Sequence, residues 1–319
     1  MAETGTGARR EAGAGAGAGV GAGVVQRHSS GLEYLGLEHA ATGALATVFL
    51  HGAHVTAWQP KGKDAESVLF TSEAAVYAHD AAIRGGIPVC FPQFAGQGPL
   101  GNHGFARKAT WTVADASPSA VTLVLTHESD GVPPGTLPFS AEYCVELTDD
   151  NALRLAWAVT NGREENTYDQ AVHEPLANAL VFTDALHTYF AVPDAAQVRV
   201  SGLGGVVYVD KTDGMAIKTW PADSDISFAG EVDAAFRRAP LTLAITDAAG
   251  ETLFDIERTA GFRDVVVWNP GAERAATMAD LAPGDAARFI CVEAANVEPV
   301  VVHPQDTHRA ELTLRIGSW

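Results

Sequence analysis

Four short stretches carry residue types that could do chemistry. In IRGGIPVCFPQF, Arg84 precedes two glycines and an apolar run that holds Pro88 and Pro92; GPLGNHGFARKATW follows, with Asn102, His103 and Arg107. Paired glycines permit positive φ or close backbone approach, and the prolines and further glycines favour a structured loop over a regular strand. Two arginines on stiff loops suit bidentate recognition of an oxyanion, phosphate above all; surface arginines paired with acids are the competing reading in so acidic a chain. In ALHTYFAV, His187 lies in an apolar and aromatic run, either as a satisfied core imidazole or as a general acid that titrates near neutrality. In ARFICVEAANV, Glu293 follows an apolar run of strand character, where a carboxyl must be exposed, paired or functional. In GEVDAAF, a loop-like setting, Asp233 could accept hydrogen bonds from hydroxyls or sit solvated in a turn. His187 and Glu293 are far apart in sequence, so only the fold can bring them together.

The elements that must position these residues follow a period of two. Tyr143, Val145 and Leu147 alternate with other residues, TDDNA reads as a turn, and Leu153, Leu155, Trp157 and Val159 alternate again, which predicts a hairpin. LTLAITDAAGETLFDIE predicts a second, with DAAG between two alternating runs. VTLVLTHES, QVRVSGL, DVVVWNP, RFICVEA and ELTLRIGSW read as further strands, whereas helical periodicity is weak and EAAVYAHDAAI is its best short candidate. Many short strands broken by Gly, Pro, Asn and Asp predict an all-β antiparallel sandwich or barrel. GLGGV lacks the strand–GxGxxG–helix setting of a dinucleotide site and reads as a loop.

The chain of 319 residues is 47% hydrophobic and 19% charged, enough to bury a sizeable core. A formal net charge of −18 argues against nucleic acid or an anionic membrane surface as partner. A small anionic ligand would need a local cluster of cations. Residues 1–24, with alternating Gly and Ala after a twin arginine, are too weakly hydrophobic for an export signal and are expected to form a disordered tail. Residues 25–319 are expected to form one domain. No apolar run is long enough to span a membrane, and a cytoplasmic monomer is expected. Cys90, Cys144 and Cys291 each sit in apolar runs without metal-site spacing, as buried free thiols would in a reducing compartment. His51 and His54 are three apart, where strand residues share a face at even spacing, so no metal set is expected.

Taken together, RGGIPVCFPQF, HGFAR, LHTYF, EVD and CVEAANV resemble, in order and spacing, the glucose-6-phosphate 1-epimerase family of hexose-6-phosphate mutarotases, within the aldose-1-epimerase superfamily. The resemblance runs from GAHVTAWQP to the end of the chain. It implies a large antiparallel β-sandwich of the galactose-mutarotase type, an open sugar cleft and no cofactor. It implies His187 and Glu293 as the catalytic pair, with Arg84, Arg107 and Asp233, and Asn102 and His103 beside them, as substrate-binding residues. Two departures stand out: relatives often carry Gln where this chain has Asn102, and Arg and Tyr after the aspartate where this chain has DAAF.

The implied reaction interconverts the α and β anomers of a hexose 6-phosphate by opening and closing the hemiacetal ring. Opening needs a proton removed from O1 and one delivered to the ring oxygen, which one carboxylate and one imidazole can supply. Glu293 is expected as base and His187 as acid. The rivals are a mutarotase for unphosphorylated aldoses and a non-catalytic carbohydrate-binding protein on the same fold. A glycoside hydrolase would call for paired carboxylates about the scissile bond, in place of a His–Glu pair.

Overall fold

The computed structural model describes residues 23–62, 67–164 and 178–317. The expected tail lies outside them, apart from Gly23 and Val24.

Period-two patterning does what it predicts wherever a strand buries one face. Phe139–Leu147 and Leu153–Asn161 alternate buried with less buried positions and pair as a hairpin, with Tyr143 opposite Trp157 and Val145 opposite Leu155. Asn151 takes the left-handed conformation at the turn (φ 62°), which Asn tolerates better than most residues. Thr242–Thr246 and Thr252–Arg258 form the second hairpin; Asp247 Oδ1 accepts from the N–H groups of Ala249 and Glu251 to shape its turn.

The described strands form three sheets, and every pairing between them is antiparallel. A four-stranded sheet runs from Val25–Arg27 to His54–Gln59 in chain order. A nine-stranded sheet contains both predicted hairpins. An eight-stranded sheet has the order Ala216–Thr219, Val207–Asp210, Val232–Phe236, Asp264–Asn269, Phe289–Val302, Leu180–Leu186, Val89–Cys90, with Tyr189–Ala191 also pairing on Phe289–Val302. The main core contains Trp157 and Leu155 of the nine-stranded sheet and Val267, Val292 and Ala294 of the eight-stranded one. Burying each such side chain of valine size or larger favours folding by about 1.5–3 kcal/mol.

Asp264–Asn269 and the first nine residues of Phe289–Val302 are buried at every position. The core covers one face of these strands. On the other, Cys291 packs with Phe70, Tyr189, Trp268 and Phe289, and Ala295 with Cys90, Phe94 and Val266. A strand covered on both faces reads as a continuous apolar run.

Two expectations are corrected. EAAVYAHDAAI forms turns and bends, not a helix. Isolated helices this short are marginal, and here Ile83 packs with Leu32 and Phe49 while Tyr77 contacts the rings of His28 and Phe49, holding the segment to the sheet. GEVDAAF is not a loop: Val232–Phe236 is an internal strand of the eight-stranded sheet.

Candidate active site

The face of the eight-stranded sheet turned away from the nine-stranded one carries the titratable groups. Its ladder sets Glu293 opposite Val266 and Asp233 opposite Trp268. Leu186 pairs with Ala294 and Tyr189 with Cys291, so counting inward from both pairs sets His187 opposite Glu293. Directly opposed residues on one face stand about 4.5–5.5 Å apart at Cβ; strand register thus joins two groups that the sequence keeps far apart. His187 Nε2 lies 3.4 Å from Glu293 Oε1. Both residues are buried, and His187 Nδ1 and Glu293 Oε2 have no hydrogen-bond partner.

Burial raises the Glu293 pKa well above the usual carboxylate range, with Lys211 opposing the shift and Asp233 adding to it. Burial drives His187 well below its ordinary value, helped by His103, Arg84 and Arg107. Both shifts favour uncharged forms, so burial biases a proton shared by the pair toward the carboxyl and away from the imidazole.

Loops on this face bring the cations. Gly85 and Gly86 both have positive φ, and a Cβ on either would lie 2.3 or 2.2 Å from Phe70 O or Val55 O. The close approach these glycines allow is therefore to the chain's own backbone. His54, buried and driven down to about 3 by burial, is neutral and donates from Nε2 to Gly85 O (2.7 Å), bracing the turn. Arg84, projecting from that turn, donates from Nε to Asp280 Oδ2 (3.0 Å) and from Nη1 to the Tyr189 hydroxyl (2.8 Å), with Nη2 ion-paired to the same Asp280 oxygen at 2.9 Å. Burial opposes its charge, but Tyr189 and Asp280 raise its pKa overall. Arg107 donates from Nη2 to Asn102 O (2.7 Å), while its Nε has no partner. His103 sits at φ 62° and accepts from Ala95 N–H at Nδ1 (3.3 Å), leaving its Nε2 to carry the ring hydrogen. Burial, with Arg107, Lys211 and Arg84 nearby, drives His103 down to about 3 and keeps it neutral.

Arg84, Asn102, His103, Arg107, His187, Asp233 and Glu293, all named from the sequence, line one cavity of about 210 Å³. Lys211, Trp268 and Arg274 line it too and were missed. Lys211 lies in a turn-like YVDKTDG stretch with no motif of its own. Only the fold puts its Nζ 3.0 Å from Asp233 Oδ1 and 4.7 Å from the Phe94 ring centre. Arg274 pairs with Glu231. Among the described residues, Arg107 is thus the cavity arginine with no carboxylate partner. A larger groove of about 510 Å³, lined by residues such as Phe91, Pro133, Leu137 and Phe182, holds no titratable side chain, so the chemistry belongs to the smaller cavity.

Cys90 and Cys291 are free and buried, and burial pushes both thiols up. Among the described residues, no cluster of His, Cys, Asp or Glu is placed to hold a metal ion, and no helix is long and apolar enough to cross a membrane. What the cavity can do is exchange protons with a bound polar molecule through His187 and Glu293 while cations and neutral donors grip it.

Known proteins are similar to this chain in fold and in sequence. A structure of a provisionally named mutarotase from Salmonella typhimurium superposes with a TM-score of 0.76 over 92% of this chain and 93% of its own, at 24% identity. Curated relatives from Cenchrus ciliaris and Escherichia coli K12, both provisionally named glucose-6-phosphate 1-epimerase, are 32% and 33% identical; the alignments cover 89% and 78% of this chain, and 85% and 79% of theirs. The family model described as aldose 1-epimerase matches residues 35–315, and on that near-complete match the chain belongs to the aldose 1-epimerase family and is an epimerase, an isomerase of sugars.

Proposed function

We propose that the protein interconverts the α and β anomers of glucose 6-phosphate, with His187 and Glu293 as acid and base. The observation that carries this reading is the contact between these two side chains on a cavity that also holds Arg84 and Arg107. In ring opening the O1–H proton goes to the base, the O–H electron pair becomes the second C1–O1 bond, the C1–O5 bond breaks, and O5 takes a proton from the acid. Rotation about C1–C2 presents the other carbonyl face, and closure reverses each transfer. Glu293 acts toward O1 and His187 toward O5. Sugar hydroxyls donating to the Glu293 oxygens, with the Lys211 ammonium in the same cavity, favour the carboxylate, so the proton passes to His187 as the sugar binds. Asp233 accepts from a sugar hydroxyl, and the neutral His103 donates to one.

Arg107 and Arg84 hold the 6-phosphate, local cations that a chain of net charge −18 needs for an anionic substrate. The names of the curated relatives support the same substrate. An unphosphorylated aldose is the second reading, favoured by the carboxylates that already face Arg84, Lys211 and Arg274. Two-dimensional NMR exchange between anomers decides, comparing glucose, galactose, mannose and their 6-phosphates. Glucose 6-phosphate should exceed glucose in kcat/KM by at least about tenfold, given about 1.5–3 kcal/mol for a charge-assisted hydrogen bond, and the gap should narrow with added salt. Equal efficiency for the two would remove the phosphate clamp.

A further inference from the structure

The His187 ring has no hydrogen bond at Nδ1, the nitrogen turned away from Glu293. Where an imidazole does acid–base work, a bond at one nitrogen commonly fixes the ring and its tautomer, yet Nδ1 of His187 is buried and unpartnered. What fixes the ring is stacking. Tyr189 lies parallel to it, with ring centres 4.8 Å apart and an interplanar angle of 11°, while His103 and Trp268 meet it edge-on at 5.5 and 5.7 Å. Tyr189 is itself buried against Phe289 and Trp268, and its hydroxyl is held by Arg84 Nη1, which Asp280 holds in turn.

We infer that Tyr189, pinned by the Asp280–Arg84 pair, is the positioning residue for the His187 imidazole, so that Arg84 serves ring orientation as well as charge. Tyr189 does not line the cavity and acts only through His187. Its place two residues along the same chain segment puts its ring on the same face of the sheet as His187. Arg84 commits Nε and Nη1 to Asp280 and Tyr189, with Nη2 ion-paired to Asp280, and the N–H groups left over from the five a guanidinium carries remain for an anion. An oxyanion on those groups would tie substrate binding to the stiffness of the stack. A misplacement of the imidazole by an ångström is enough to cost about 10²-fold in rate.

The inference rests on His187 as an acid–base group, and the test separates the two. Tyr189→Phe keeps the stacked ring and removes the hydroxyl that Arg84 holds. With glucose 6-phosphate it should lower kcat by about tenfold, within the range that misplacement permits, and leave KM near wild type. Asp280→Asn should lower kcat in the same direction without raising KM, because Arg84 keeps its charge but loses its brace. An Arg84 that is only a clamp predicts the opposite pattern: Tyr189→Phe unchanged, and Asp280→Asn with a lower KM and an unchanged kcat. That pattern, alongside an inactive His187→Ala, overturns the positioning role and spares the catalytic assignment; an active His187→Ala overturns both. Should Tyr189→Phe not fold, the kcat and KM of Asp280→Asn decide alone.

Discussion

Asp184 and Glu293 are carboxyls on adjacent strands of one sheet, each 1% exposed, yet the two faces of that sheet treat them differently. Asp184 points into the space between the sheets and accepts from Trp157 Nε1 (2.7 Å) and Asn296 Nδ2 (2.8 Å). Glu293 points to the cavity and keeps one oxygen bare. Most buried polar groups that hold a fold together are hydrogen-bonded. A buried oxygen with nothing to bond is costly, and in the proposed reaction a substrate supplies the partners that it and the equally unpartnered imidazole lack. Burial raises both pKa values, to about 6 for Asp184, where the Asn296 and Trp157 bonds pull it back, and well above the usual range for Glu293.

The sharpest way to break this comparison is to exchange the consequences. His187→Ala and Glu293→Gln should each lower kcat by about 10²–10⁴, the usual contribution of one positioned acid or base, with the thermal midpoint near wild type. The double variant should lose little more than either alone, because in the proposed reaction the two residues act as one unit on one proton. Asp184→Ala should do the reverse. It strips the acceptor from two buried donors, at about 1–3 kcal/mol each, and should lower the midpoint while the folded fraction keeps its kcat. A stable Asp184→Ala, or a Glu293→Gln that unfolds, would erase the distinction between the faces.

A smaller effect sharpens it. The folded pKa of Asp184, about 6 against an ordinary 3.8, means the fold prefers this group protonated. Its contribution to stability is full below about pH 3.8 and is lost as pH rises through about 6. Thermal midpoints of wild type and Asp184→Asn should therefore diverge between those values and run parallel outside them.

The same two faces explain what could be read in advance. Hairpins such as Phe139–Leu147 with Leu153–Asn161 were legible because one face is buried and the other less so, which writes an alternation into the sequence. Asp264–Asn269 and the first nine residues of Phe289–Val302, buried on both faces, show an apolar run that reads as a strand without saying which face meets the cavity. That Glu293 stands opposite His187 follows from register, which no local pattern encodes. Motif resemblance named the residues, and the ladder explains their meeting. EAAVYAHDAAI misled because aromatic contacts with a neighbouring sheet, invisible in one dimension, outweigh a weak helical preference. Lys211, Asp280 and Tyr189 went unassigned for a related reason: Lys211 and Asp280 acquire their roles from Asp233 and Arg84, and Tyr189, though two residues from His187, is pinned by Arg84, partners that only the fold brings near.

Lys211 gives the finest test of the cavity face. Glu293 shares that face with His187, His103, Asp233, Arg84 and Arg107, and among its charged neighbours the Lys211 ammonium works most strongly against burial to favour the carboxylate. In the proposed reaction the pair is active with one proton. The acid limb of the kcat/KM profile then reports protonation of His187, which burial moves to lower pH, and the alkaline limb reports loss of the Glu293 proton, which burial moves to higher pH. Lys211→Met removes the opposing cation and leaves Asp233 unpaired, and both changes raise the Glu293 pKa further. The alkaline limb should move to higher pH while the His187 limb shifts less. An alkaline limb that stays in place, or moves down, would show that the proton lost there is not the one on Glu293, and that the bare carboxyl on the cavity face is not the group the reaction titrates.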